Sequence, residues 1–549
     1  DNISVKQVQG NPAAMTNMSS ADIVAWTPNI ETDFDVARSS TTTRRNASGY
    51  IEDVAANVPR LNYDSGDSCP YLLTEAASTN LITYPKSFGN SYWAKVGVSI
   101  EGDASTAGSE LVTNGTFTGS ATGWTLGTGW SYGTNEVDCD GTVGGNLQQN
   151  TILTIGNMYL LTFDISTYNS GTLSLPSNRY EEETNYTSAD SYSVYIIAKV
   201  ANLYFYSDSF DGSVDNISCK QVTGFAAPKV DGSGGFEKEA YKLVEGTNTG
   251  GHLAHTTSNI AVTGSTDYDL SLLVKADERY KFGLRENHLT GLYATFDLQA
   301  GTVLDNSANT TANITALVNG WYRIDYVSES AGVTFRPSLY LLDDSYTTGT
   351  PWAATYTGDG TSGIYLAYAQ LEEGSYASSL MLPTTEGSTT SRVADAITNA
   401  GNQSLFSNVN SNGVLYAEIA ALADDGTWRL LGISDGTGAN RVVINYNTTS
   451  NRIQAEVRVA NAIQAALNYT SSDVTQFHKV AVRWKVNDFS LWVDGVEIAT
   501  DTSGLSYAAD VLTTMAFMRG DAAEYFYGKC REVDVYEYLT DAQMVLLTT

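Results

Sequence analysis

Apolar and polar positions alternate with a period of two through most of this chain. Tyr159, Leu161, Phe163 and Ile165 alternate with polar or outward residues, and Tyr268, Leu270, Leu272 and Val274 do the same. A period of two puts every second side chain on one face of an extended segment, so each run predicts a strand with one buried face. Comparable runs predict strands over residues 96–100, 194–200, 203–206, 214–222, 241–245, 321–326 and 363–374. Further strands are predicted over 413–420, 441–446, 478–484, 489–493 and 496–498, the last two joined by Asp494-Gly495, the strongest hairpin signal in the chain. A convincing helical pattern occurs only at residues 540–547, with Thr540 as its cap. Gly, Asn and Ser turns separate the runs. The fold class is therefore all-β: tandem and nested antiparallel β-sandwiches (jelly rolls).

An internal repeat organises the chain. Asp1-Asn-Ile-Ser-Val-Lys-Gln-Val-Gln-Gly10 matches residues 215–224 at eight of ten positions. Repeats of this kind mark modules. The later copy closes a run of strands that begins near Glu110, whereas the first copy has no such run before it. Residues 1–10 are therefore read as the last strand of a preceding jelly-roll repeat in a longer polypeptide. That strand is expected to pair with an upstream jelly roll or with an adjacent subunit. Residues 11–108 hold short apolar pieces broken by Pro and Gly, a leader expected to wrap a partner surface before giving the first strands of a host sandwich. Residues 109–224 read as an inserted jelly roll and 225–392 as the rest of the host sandwich, closing with a polar linker at 383–392. Residues 393–549 form the last domain.

Charge narrows the partners. A formal net charge of −31 argues against nucleic acid, whose phosphates need a basic face, and against adhesion to anionic surfaces by bulk charge. No apolar run is long enough for membrane insertion. Neutral sugars, or anionic ones bridged by a divalent cation, remain. The four cysteines are too few for a disulfide scaffold. Cys219 stands where the first repeat has Val5, so it reads as a buried strand residue, with a Cys139–Cys219 bridge as the alternative. The carboxylates Glu181-Glu-Glu183 and Glu372-Glu373 read as solvated loops, because adjacent strand residues face opposite ways and glycosidase chemistry needs two carboxylates at one bond. With no nucleophile elbow, metalloprotease helix or phosphate loop, the chain is read as no enzyme.

Short motifs carry a resemblance. Residues 34–38, 59–63 and 75–81 resemble the lead-in of tailed-bacteriophage virion proteins, namely fibre, appendage and receptor-binding subunits. In those proteins the lead-in runs into a sandwich ending like residues 364–376 and then a segment like 390–395. Residues 413–549 resemble a laminin-G/concanavalin A-like domain, by residues 478–484, 491–495, 528–536 and Leu539-Thr-Asp541. Residues 109–224 resemble a carbohydrate-binding-module jelly roll, by Asn114-Gly-Thr-Phe117, Gly123-Trp124 and residues 214–222. The resemblance implies a structural virion protein, assembled with other virion proteins as a symmetric homo-oligomer (a trimer foremost), that binds host-surface glycan. The alternative is a purely architectural capsid, collar or tail decoration with no ligand; a polysaccharide depolymerase comes third.

Sugar binding by sandwiches uses exposed aromatic faces. Trp124, Trp130, Tyr132 and Tyr180 are the candidates in the inserted module, although core or edge packing is the first reading for the two tryptophans. Tyr180, beside Arg179 in a polar loop, is expected to be exposed. In the last domain Trp428 shares a loop with Asp424 and Asp425. No cofactor is required. Calcium is the candidate ion, which the laminin-G resemblance assigns to Asp424, Asp425 or Asp435 and the jelly-roll resemblance to Asp215; calcium needs six or more oxygens.

Overall fold

The computed structural model describes residues 34–549 except residue 65 and segments 102–107, 156–157, 181–182, 222–224, 231–238 and 287–290. The opening repeat, residues 1–10, lies outside the described residues. Strands hold 51% of the described residues against 3% helix, so the layers are sheets. Among the described residues no helix is long and apolar enough to cross a membrane.

The host sandwich packs a seven-stranded sheet on a six-stranded one. The first is built around strands Asp267–Ala276, Trp321–Glu329 and Gly363–Glu373, with Thr310–Ala316 at its edge. The second centres on Lys281–Glu286 and Pro337–Leu342. Leu270, Leu272, Val274, Ile324 and Leu366 of one sheet meet Phe282, Leu284, Phe296 and Leu341 of the other in a single core. Burial of each such side chain is worth roughly 1.5–3 kcal/mol. The strand predicted at 96–100 divides at Gly97 into Trp93–Val96 and Val98–Glu101, which join different sheets. Gly97 has φ +63°, and a Cβ there would lie 2.7 Å from the Gly251 carbonyl oxygen. Glycine alone permits this crossing without strain.

Residues 109–224 carry an eight-stranded sheet of their own. Every buried hydrophobic residue described in its core lies between Val112 and Cys219. The strands predicted at 203–206 and 214–222 are one strand, Leu203–Gln221, paired with Met158–Leu175. Four register shifts and a left-handed Ser209 (φ 56°) break the alternation between them, which is why the pattern reads as two pieces. Cys139 and Cys219 are buried and unbridged; the Cys139 thiol faces the Ser207 hydroxyl at 3.4 Å. The chain enters and leaves side by side, the Gly108 N–H donating to the Gln221 carbonyl at 2.8 Å.

The C-terminal sandwich pairs a seven-stranded with a five-stranded sheet. Asn412–Ala421, Arg441–Tyr446, His478–Lys485 and Asp488–Val493 form where the pattern predicts them. Asp494 and Gly495, at φ 49° and 82°, close the hairpin to Val496–Asp501. Helix Asp541–Thr548 begins with a capping box between Thr540 and Gln543 and buries Met544 against Tyr416 and Trp492.

Over its described residues from 34 onward, the leader packs on its own chain. Tyr71–Thr74 extends the C-terminal sheet beside Gly528–Tyr536, Asp35–Ala37 pairs Ala396–Thr398, and Ser78–Asn80 pairs Thr390–Arg392. The stretch at 383–392 thus ends in a paired strand and a buried arginine instead of a free linker.

Candidate functional site: a polar cleft between the sandwiches

The outward face of the seven-stranded host sheet is polar because its strands alternate. In Asp267–Ala276 the side chains of Leu270 and Leu272 enter the core, so Asp269 and Ser271 point the other way. Directly opposite neighbours share a face, and the register places Asp269 opposite Glu372, Ser271 opposite both Gln370 and Asp325, and Asn313 opposite Asp325. Arg323 donates to Ser271 Oγ at 2.8 Å and to the Ser378 carbonyl at 2.6 Å, and Asn313 Nδ2 donates to Asp325 Oδ2 at 2.8 Å. Glu372 accepts from the Ser378 N–H at 2.9 Å and from Gln370 Nε2 at 2.6 Å. Asp269 is fully buried, and neither carboxyl oxygen has a partner among the described residues. Burial, then Asp325 and Glu372, push its pKa well above the carboxylate range. Burial likewise raises Asp325, with the nearby Glu372 charge adding to it against Asn313 and Arg323.

This face floors a cleft of about 1000 Å³. Thr311, Asn313, Thr315 and Asp325 lie on the floor, Ser375 and Tyr376 on one wall, and Ala423, Asp424, Asp425 and Gln476 of the C-terminal sandwich on the other. Arg44, Arg45 and Lys529 also line it. Hydroxyl, amide, carboxyl and guanidinium groups therefore converge on one space, a donor set suited to a polyhydroxylated ligand.

Beside it lies a buried cluster of charge. Arg60 pairs with both Glu75 and Asp395, Arg38 reaches Asp395 at 2.8 Å, and Arg392 reaches Glu75 at 3.0 Å. All five side chains are at most 3% exposed. Burial alone would push the Glu75 carboxyl up, but the Arg392 and Arg60 guanidiniums overcome it and hold the pKa at about 2. These five residues come from the segments 34–38, 59–63, 75–81 and 390–395, so the motifs that carry the virion-protein resemblance meet at one point.

The sequence-derived sugar-binding candidates separate. Trp124 is 9% exposed, packed on Phe117 with its Nε1–H donated to the Asn114 carbonyl. Trp130 is buried against Phe210. Tyr180 is 1% exposed, contrary to expectation: its hydroxyl donates to the Tyr204 carbonyl at 2.9 Å and accepts the Tyr204 N–H at 2.7 Å. Burial raises its hydroxyl pKa. Tyr132 is 39% and Trp428 40% exposed, so both remain open to a ligand. They belong to different sandwiches and form no joint site.

The carboxylates assigned to calcium stand at three places in the fold, residues 424–425, residue 435 and residue 215. Asp425 is ion-paired to Arg429 at 2.6 Å and accepts from Ser375. Asp424 accepts from Ser450 and from the Asn451 N–H, and Asp435 accepts from Thr437 and Asn440. Their oxygens are engaged in holding loops. Asp215 is half-buried with one unpartnered oxygen, its pKa raised by burial and then by Asp164 and Glu136. Among the described residues no three His, Cys, Asp or Glu side chains converge as a metal site. Sequence reasoning also missed the cleft floor. Glu372 sits in a central strand at 1% exposure instead of a solvated loop. The signal was present in Asp267-Tyr-Asp-Leu-Ser-Leu272, where polar residues keep strict alternation with apolar ones.

No protein-family model matches the chain, and no curated protein matches it. Among solved structures, domains LG4-5 of the mouse laminin alpha1 chain align at 12% identity and TM-score 0.20, over 50% of this chain and 84% of that one. The tandem CBM22 domains of Paenibacillus barcinonensis Xyn10C align at 12% identity and TM-score 0.17, over 49% and 99%. A mutant Trypanosoma rangeli sialidase displaying trans-sialidase activity aligns at 10% identity and TM-score 0.22, over 93% and 98%. Scores this low carry no argument about ligand or activity.

Proposed function

We propose that this chain is a structural protein of a tailed-phage virion, part of a fibre or surface appendage, that holds host-surface glycan without transforming it. The observation that carries the binding half is the cleft of about 1000 Å³, floored by Asn313 and Asp325 and flanked by the loop that presents Trp428. A glycan needs hydroxyl partners on several sides and an aromatic face for its ring. What supports the virion half is the motif order and the meeting of those motifs in the Arg38–Arg60–Glu75–Arg392–Asp395 cluster. The reading places the chain among other virion proteins in a symmetric homo-oligomer, a trimer foremost. The architectural alternative draws on the same cluster, since a buried ionic weld between sandwiches serves mechanical load as well as binding. A glycan array probed with the full chain separates the two. Binding that falls on Asn313→Ala and on Trp428→Ala supports the adhesin. An array blank for the wild-type chain leaves the architectural reading.

A further inference from the structure

We infer a second carbohydrate-binding position on the host sandwich, away from the cleft: an indole platform made by Trp352 for the pyranose ring of a neutral polysaccharide. Trp352 stands on the turn Pro351–Ala353 that follows strand Pro337–Leu342. Its partner Pro351 is buried over Gly283, where a Cβ would lie 3.3 Å from the proline Cβ. The Arg285 guanidinium lies over the indole, 3.7 Å from the ring centre, and is itself fixed by donating to Tyr340 Oη at 3.0 Å. Tyr293 meets the indole edge-on at 5.9 Å. Gly291, at φ +65°, leaves room where a Cβ would stand 3.3 Å from Trp352 Cη2. The ring is thus held from below, from one side and through its own backbone.

Yet Trp352 is 39% exposed and takes no part in the host core. Its indole N–H has no acceptor among the described residues. A tryptophan that merely closed the turn would gain from turning into the sandwich. This one is immobilised with surface left open, the condition under which stacking gives affinity without an ordering cost. Arginine carries five N–H donors, so the guanidinium that pins the ring also offers hydroxyl partners at its margin. Charge selects the class of ligand. With a net charge of −31 overall, an anionic polymer would be repelled by the chain as a whole.

The inference shares with the proposed function only the ligand class, so its test must separate the two. The full chain is run by affinity electrophoresis through gels cast with dextran, mannan or galactan, beside Trp352→Ala, Trp352→Phe and Trp428→Ala. At least one polysaccharide is expected to retard the wild type. Trp352→Ala should then lose affinity roughly tenfold, with Trp352→Phe keeping most of it. Oxidation of exposed tryptophans, read by peptide mass spectrometry, reports on the unmutated chain, and the retarding polysaccharide should shield Trp352. Retardation of the wild type with an unaffected Trp352→Ala and an unshielded Trp352 overturns the platform and leaves the glycan-binding function standing. No retardation by any of the three polymers overturns this inference, whatever the array reports for the cleft.

Discussion

The buried cluster around Glu75 makes the structure sensitive to acid in a calculable way. Glu75 is held at a pKa of about 2, whereas an unfolded glutamate titrates near ~4.3. A depressed carboxylate contributes stability that is fully present above the unfolded value and is lost as pH falls through the folded one. The window is therefore from about pH 4.5 down to about 2. At about 1.4 kcal/mol per unit, this one carboxylate accounts for roughly 3 kcal/mol at neutral pH. Its side chain is 3% exposed, so solvent screening removes little of that. Glu75→Gln leaves three buried guanidiniums facing Asp395 alone. Breaking a buried pair in this way costs about 3–5 kcal/mol. Calorimetric melts of the full chain at pH 7 and pH 2.5 give both numbers. The variant should melt well below wild type at pH 7 and converge on it at pH 2.5. A Glu75→Gln chain within about 1 kcal/mol of wild type at neutral pH, or one with an unchanged acid profile, would refute the electrostatic account of this cluster.

Other substitutions test other parts. Asp269, whose pKa is raised, contributes stability that is fully present below its unfolded value of about 3.9 and is lost as pH rises toward the folded value. Asp269→Asn should thus gain on wild type between pH 4 and pH 7, and an advantage equal at both pH values would count against a protonated Asp269. Trp124→Ala should cost about 3–5 kcal/mol in a chemical melt with glycan affinity intact, whereas Trp428→Ala should weaken glycan binding with a melting change of a degree or less. Gly97→Ala forces a side chain into a left-handed position and against the Gly251 carbonyl, so it should lower stability by more than about 2 kcal/mol, read by urea titration.

Local chemistry was legible in the sequence and long-range chemistry was not. The Asp494-Gly495 hairpin and the Thr540 helix start are decided by residues within a few positions of each other, and both stand where the pattern puts them. The Arg60–Asp395 pair spans 335 positions, and neither residue signals its partner locally. Tyr180 failed for a related reason. Its neighbours are polar, but its burial is decided by the Tyr204 backbone, which only the folded sheet brings near. Glu372 was lost because two adjacent glutamates look like a loop, whereas strand alternation buries one and exposes the other. The cleft floor follows the same rule: each strand shows its polar residues plainly, while the pairing that gathers them belongs to the topology.

The adjacency of Gly108 and Gln221 carries a consequence for heredity. A module that enters and leaves its host through one doorway, with a core drawn from its own residues, asks of the host only that two backbone ends stay close. Recombination at that doorway can then exchange the whole jelly roll for another of different surface without repacking the sandwich beneath. The host layers and the buried charge cluster would keep their packing through such an exchange, because neither draws a residue from the inserted piece.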